Sequence, residues 1–149
     1  MLVTDLIAQD HRTVREMFAR LEAVPVAEVR RRQQLLDDLV AELDVHARAE
    51  EAVFYPAVRA VSRRIDDAEA GHLHMRDLIA EAQALDASAD DFMDAVRRLE
   101  GAVLSHAGEE EGGIFLDAGR LGLEELERLG EAMQGEKDTL KQQRGRKAA

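Results

Sequence analysis

Two pairs with the same spacing, His46-x-x-x-Glu50 and His106-x-x-x-Glu110, stand out among the titratable residues. Histidine at i and glutamate at i+4 lie one turn apart on a single helix face. Two further histidines, His11 and His72, fall among apolar residues at helical spacing. Four imidazoles and two carboxylates form a mixed nitrogen and oxygen donor set. Such a set suits iron, manganese or zinc better than calcium or copper(I). Packed helix axes lie about 8–10 Å apart, so side chains from facing helices can converge on a pair of ions. Bridging carboxylates with two histidines per ion give each ion four ligands. A bridging water, hydroxide or oxide adds a fifth and leaves room for an exogenous molecule. Without a cation, two carboxylates on buried stripes carry a heavy desolvation cost. Arg15 and Arg76 are the partners that a purely structural polar network would use instead.

The elements that must hold these groups are helical. The first stripe is Ile7, His11, Val14, Phe18, Leu21, which predicts a helix from Thr4, as N-cap, to Ala23. Pro25 follows it. The second stripe, Leu36, Leu39, Leu43, His46, Glu50, Val53, predicts a helix from about Ala27 that Pro56 kinks or ends. The third, Ala68, His72, Met75, Ile79, Ala82, predicts a helix from Ser62 to Leu85. The fourth carries Phe92, Val96, Leu99, Val103, His106 and Glu110, and Gly112–Gly113 are expected to weaken or stop it. A short last helix, Leu123 to Gln134, shows Leu123, Leu126, Leu129 and Met133. Residues 1–135 are therefore read as one helical bundle. Residues 136–149, with Lys137, Lys141, Arg144, Arg146 and Lys147, are read as a basic, mobile tail. Helices of this length with short connections make an all-α, up-down-up-down antiparallel four-helix bundle the natural architecture.

The chain reads as one hairpin written twice. "HRTVREMF" from His11 aligns with "HLHMRDLI" from His72, and "HARAEEAVFY" from His46 aligns with "HAGEEEGGIF" from His106. The offsets are 61 and 60 residues, the mark of an internal duplication. The alignment pairs Glu50 with Glu110 and Glu51 with Glu111. It also separates His72, which matches His11, from His74, which matches Thr13 and sits about 200° round the helix. His74 is assigned to the surface or to a supporting position.

Composition narrows the function classes. The 149 residues carry a formal net charge of −11, which argues against a nucleic-acid partner. Cysteine is absent, so thiolate zinc sites, iron–sulfur clusters and disulfides are excluded. No run of about 18 apolar residues is present, so no membrane partner is expected, and a cytoplasmic protein is.

Taken whole, "QDHRTVREMF", "HARAEEAVFYP", "GHLHMRDLIAE" and "SHAGEEEGGIF" resemble the hemerythrin-like family, the HHE cation-binding domains, over about residues 4 to 118. The resemblance implies two iron ions with a bridging oxo or hydroxo group. His11, His46, His72 and His106 would be terminal ligands, and Glu50 and Glu110 bridges. Oxygen-carrying hemerythrins have a second histidine four residues on in the third helix. Here that place holds Arg76, so the third helix supplies one ligand. Their last bridge is an aspartate five past the fourth-helix histidine. That place holds Glu111, and the internal repeat favours Glu110. The expected partner is a small molecule (oxygen, peroxide or nitric oxide), with weak peroxide degradation as the enzymatic form. An iron-responsive regulatory or storage module is the alternative, and a monomer or weak homodimer is expected.

Overall fold

Apolar residues repeating at three and four positions build five long helices: α1 (Val3–Ala23), α2 (Val29–Ala49), α4 (Ile65–Ala84), α5 (Phe92–Glu109) and α7 (Leu123–Ala148). The computed structural model describes residues 1–148. Among them there is no strand, and no helix is long and apolar enough to cross a membrane. Helix α1 packs on α2, α4 packs on α5, and α7 lies against both α1 and α2.

Two wide turns interrupt the regular helices. Helix α2 runs into a π turn, Glu50–Phe54, and then into α3 (Tyr55–Val58). Helix α5 runs into a second π turn, Glu110–Ile114, then α6 (Phe115–Ala118) and a 3₁₀ turn, Gly119–Leu121. Each begins at one of the repeated glutamates. The expected break at Gly112–Gly113 is not a stop. Burial of Ile114 and Ala118 carries the helix past both glycines, and a Cβ at Gly113 would meet the Arg64 side chain at 2.9 Å. Pro56 likewise ends nothing. It sits in the first turn of α3, where its missing N–H costs no helical bond.

The stripes of α1, α2 and α5 are buried as expected except at Val53, which is half-buried. On α4, Leu78 rather than Ile79 turns fully inward, and on α7 Leu123 is exposed. Helix α1 begins at Val3 with no side-chain cap, so Thr4 lies inside it, and α4 begins at Ile65 instead of Ser62.

The largest correction concerns the C-terminal segment. In place of a short helix and a mobile tail, α7 is a single helix of 26 residues. Leu140 is buried, Lys137 is buried against Asp10, and Arg144 reaches Asp44 at 3.0 Å. One leucine and two polar anchors replace the apolar stripe that the segment lacks.

The core falls into two apolar clusters. One gathers Ile7, Val45, Phe54, Tyr55, Ile114 and Met133. The other gathers Val14, Phe18, Leu39, Met75, Phe92 and Leu99. Along α1, α2, α4 and α5 the stripe histidine falls where the chain passes from one cluster to the other. A polar layer thus divides the core.

Candidate metal centre

All six residues singled out by spacing lie in that layer. His11, His46, His72 and His106 are buried, and Glu50 and Glu110 have no exposed surface. Their donor atoms form two groups. His11, His46, Glu50 and Glu110 make the first, and Glu50, His72 and His106 the second. Glu50 Oε1 lies 3.1 Å from His46 Nε2 and 3.2 Å from His72 Nε2. Glu110 Oε1 lies 3.3 Å from both His11 Nε2 and His106 Nε2. Each carboxylate therefore stands between two histidines from different helices.

The close approaches are not all hydrogen bonds. His46 Nε2, Glu50 Oε2 and Glu110 Oε1 are buried without a partner of acceptable direction. Orphaned buried polar atoms are rare and costly. The three residues that carry them belong to one donor group, where a cation would supply the missing partner. The donor set and its orphan atoms fit a metal.

Charge follows the same layout. Burial alone would push the His46 imidazolium down, but Glu50 and Asp10 outweigh it and hold its pKa well above the usual value. His106 is raised in the same way by Glu110. Burial would push the Glu50 carboxyl up, and His46 foremost holds it well below the usual range.

The imidazoles are oriented from behind. His46 Nδ1–H donates to Asp10 Oδ2 at 2.8 Å, and Asp10 in turn accepts from Lys137 of α7. Such a carboxylate fixes the tautomer and leaves Nε2 free for a cation. His72 Nδ1 lies 3.4 Å from Glu51, which Arg76 holds at 2.7 Å. His11 Nδ1 lies 3.7 Å from Glu111, which is 3.7 Å from Arg15. Arg15 and Arg76 thus pair with the partly exposed Glu111 and Glu51, not with the buried Glu50 and Glu110. The repeat is visible in these matched triplets. It breaks at the fourth histidine: the counterpart of Asp10 is Gly71, where a Cβ would stand 2.9 Å from His106 Nδ1. Only glycine lets α4 approach that ring so closely.

Sequence reading missed three participants. Asp10 and Lys137 support His46. Tyr55 stands in the second group, its hydroxyl 3.1 Å from His72 Nε2, His106 Nε2 and Glu110 Oε2, and 3.5 Å from Glu50 Oε1. Burial first, and then both carboxylates, push its phenol strongly up, so the hydroxyl keeps its proton and donates. In the other half of the repeat the same place holds Phe115. The available signal was this mismatch at an otherwise repeated position.

His74 is exposed, one turn-face away from the buried His72. Replacing His72 with Ala is expected to lower the metal content, and replacing His74 with Ala to leave it at the parent value. Metal analysis of the two variants after identical purification checks this. Equal losses would contradict the assignment.

Residues 2–116 match the model of the hemerythrin HHE cation binding domain. Over 117 residues the chain is 32% identical to a "DNA nickase" of a Nostoc species, covering 77% of this chain and 33% of that protein. The chain therefore spans about a third of the length of the curated relative it matches. A solved hemerythrin HHE cation binding domain-containing protein from Mycobacterium kansasii has the same fold, with a TM-score of 0.82 at 24% identity. The match covers 94% of this chain and 87% of that one.

Proposed function

The chain belongs to the hemerythrin HHE cation-binding family, and on that premise we propose that it holds two iron ions and binds or reacts with a small oxidant or gas. The observation that carries this reading is the pair of donor groups sharing Glu50. His11 and His46 would serve one ion, His72 and His106 the other, with Glu50 and Glu110 between them. Two iron ions held there, with an oxo or hydroxo bridge, would supply redox chemistry toward oxygen, peroxide or nitric oxide. The chain's own residues orient the imidazoles, exclude water with two apolar clusters, and hold a proton on the Tyr55 hydroxyl beside Glu110. Arg76 is committed to Glu51 and cannot ligate a cation. This favours small-oxidant chemistry, with weak peroxide degradation as its enzymatic form, over reversible oxygen carriage.

The reading extends to the rest of the molecule. The four helices that carry the histidines, joined by short connections, run up-down-up-down, with α7 as the fifth helix. The protein acts in the cytoplasm as a monomer or weak homodimer, with no nucleic-acid or membrane partner. A net charge of −11 repels phosphate backbones, and the nicking activity is named for a protein of which this chain spans a third. One observation favours the alternative, an iron-responsive module. Lys137 ties α7 to His46 through Asp10, so occupancy at His46 and docking of α7 are linked.

Metal analysis of protein made with ample iron is the test. About two iron atoms per chain are expected, with near-ultraviolet absorption from bridged ferric ions in the oxidised state. A colourless protein holding a single zinc ion would reject the di-iron reading.

A further inference from the structure

The histidine layer also forms one wall of a cavity that the cation chemistry does not require. The cavity has a volume of about 390 Å³ and touches His11, His46, His72 and His106. A diatomic gas or hydrogen peroxide needs roughly the space of two waters, about 60 Å³. The observed volume falls instead in the range of about 300–1,000 Å³ that organic ligands occupy. Most of its remaining wall is apolar, with Val14, Val40, Leu43, Met75, Ile79 and Val103 contributed by four helices.

The exposed edge carries charge that is already spent. Arg76 is bonded to Glu51 at 2.7 Å and Arg144 to Asp44 at 3.0 Å. Neither is offered to an anionic ligand. At this edge a carboxylate or phosphate would have to displace an existing ion pair. A neutral molecule faces no such cost. The buried polar end is the histidine layer, where His11, His46, His72 and His106 line the cavity, and the uncharged polar residue elsewhere on its wall is Gln83. The cavity is polar at one end and greasy along its length, and its mouth bears paired charges.

We propose that this cavity binds a neutral organic molecule with an apolar body and one oxygen-bearing head, of the alkyl hydroperoxide class. The head lies against the histidines and the chain lies along Val14, Met75 and Ile79. This deepens the small-oxidant reading above and rests on it for the identity of the head group. The apolar part of the claim stands on the cavity alone. Ile79 serves it directly: it is half-buried, away from the fully buried stripe, and faces this space.

The test uses butan-1-ol, hexan-1-ol and octan-1-ol, which share the body and oxygen head of the hydroperoxides without oxidising the protein. Each is titrated into iron-loaded and metal-free full-length chain, with methyl resonances of Met75, Ile79 and Val103 as the readout. The dissociation constant should fall about fourfold for each methylene buried, until the chain fills the cavity. Ile79→Trp, which fills the cavity, should abolish the chain-length dependence while iron content stays at the parent value. If circular dichroism shows that this variant has lost its helices, Leu43→Phe takes its place, and the wild-type series decides by itself in any case. Affinity that does not depend on chain length would overturn the proposal, as would an unchanged series in a folded, filled variant. The two readings fail separately. Loss of chain-length dependence with two irons present removes this proposal and leaves the metal centre. Its persistence in a chain that takes up no iron does the reverse.

Discussion

Replacing Glu50 with Ala is expected to empty both of the proposed metal positions together, where replacing a single histidine empties one. Among the described residues, Glu50 is the one that belongs to both donor groups, with one oxygen between His46 and His72. Loss of a supporting residue behind a ligand already lowers metal affinity about 10–100-fold. Loss of a shared carboxylate should exceed that range at each position. Stability supplies a second readout. A site bound at 1,000 times its dissociation constant adds about 4 kcal/mol to the folded state. The parent melting temperature should therefore rise with iron and fall after chelation, and that of Glu50→Ala should do neither. A variant that retains two ions per chain and the parent's metal-dependent melting would contradict the shared-carboxylate arrangement.

The second large effect lies outside the donor groups. Replacing Asp10 with Ala should destabilise the protein by about 3–5 kcal/mol, the range for a buried charge that loses its counter-ion. Asp10 is the acceptor for both Lys137 and His46, and all three are buried. Substituting Lys137 with Met should cost less, because Asp10 keeps His46. The combination Asp10→Ala with Lys137→Met should recover part of the loss, since no cation from α7 is then stranded. Denaturant midpoints of the single and double variants measure the coupling. Additive losses would mean that the pair is not a unit and that α7 is held by its other contacts.

How much of this was legible in the residues depends on whether the helices stayed regular. His11, His46, His72, His106, Glu50 and Glu110 were legible because each sits on a stripe read at three- and four-residue steps. Those steps hold up to Glu50 and Glu110. Tyr55 was not legible, for the same reason in reverse. In an α-helix, five residues turn about 140° away from the starting face, which would place Tyr55 far from Glu50. In the π turn the backbone bond runs from i+5 back to i. The Tyr55 N–H accordingly meets the Glu50 carbonyl, and the tyrosine stacks over the glutamate. The wider turn also lets Glu51, next in sequence, reach His72. No local pattern announces such a turn.

Lys137 was hidden by distance, standing 127 positions after Asp10. A lysine in a charged segment is ordinarily a solvated one. Only the tertiary placement of α7 shows that its stem and charge are buried. Asp10 was closer to view. It precedes His11 directly, but its counterpart in the repeat is Gly71, and the comparison that exposed the histidines concealed the aspartate by discarding what did not match.

The wide turns date the events that made the molecule. Glu50–Phe54 and Glu110–Ile114 are the same irregularity at the same register of two related hairpins. An extra residue gained independently at both places would be a coincidence. A single ancestral hairpin that already carried it, later doubled and fused, needs one event. The ancestor's two copies would have met as identical partners, with equal halves of the polar layer. Tyr55 opposite Phe115, and Asp10 opposite Gly71, are changes that two identical copies could not have held separately. One gene with two editable halves could. Fusion thus allowed the halves to drift apart: one ring backed by an aspartate and a lysine, and a single hydroxyl set among the donors on one side.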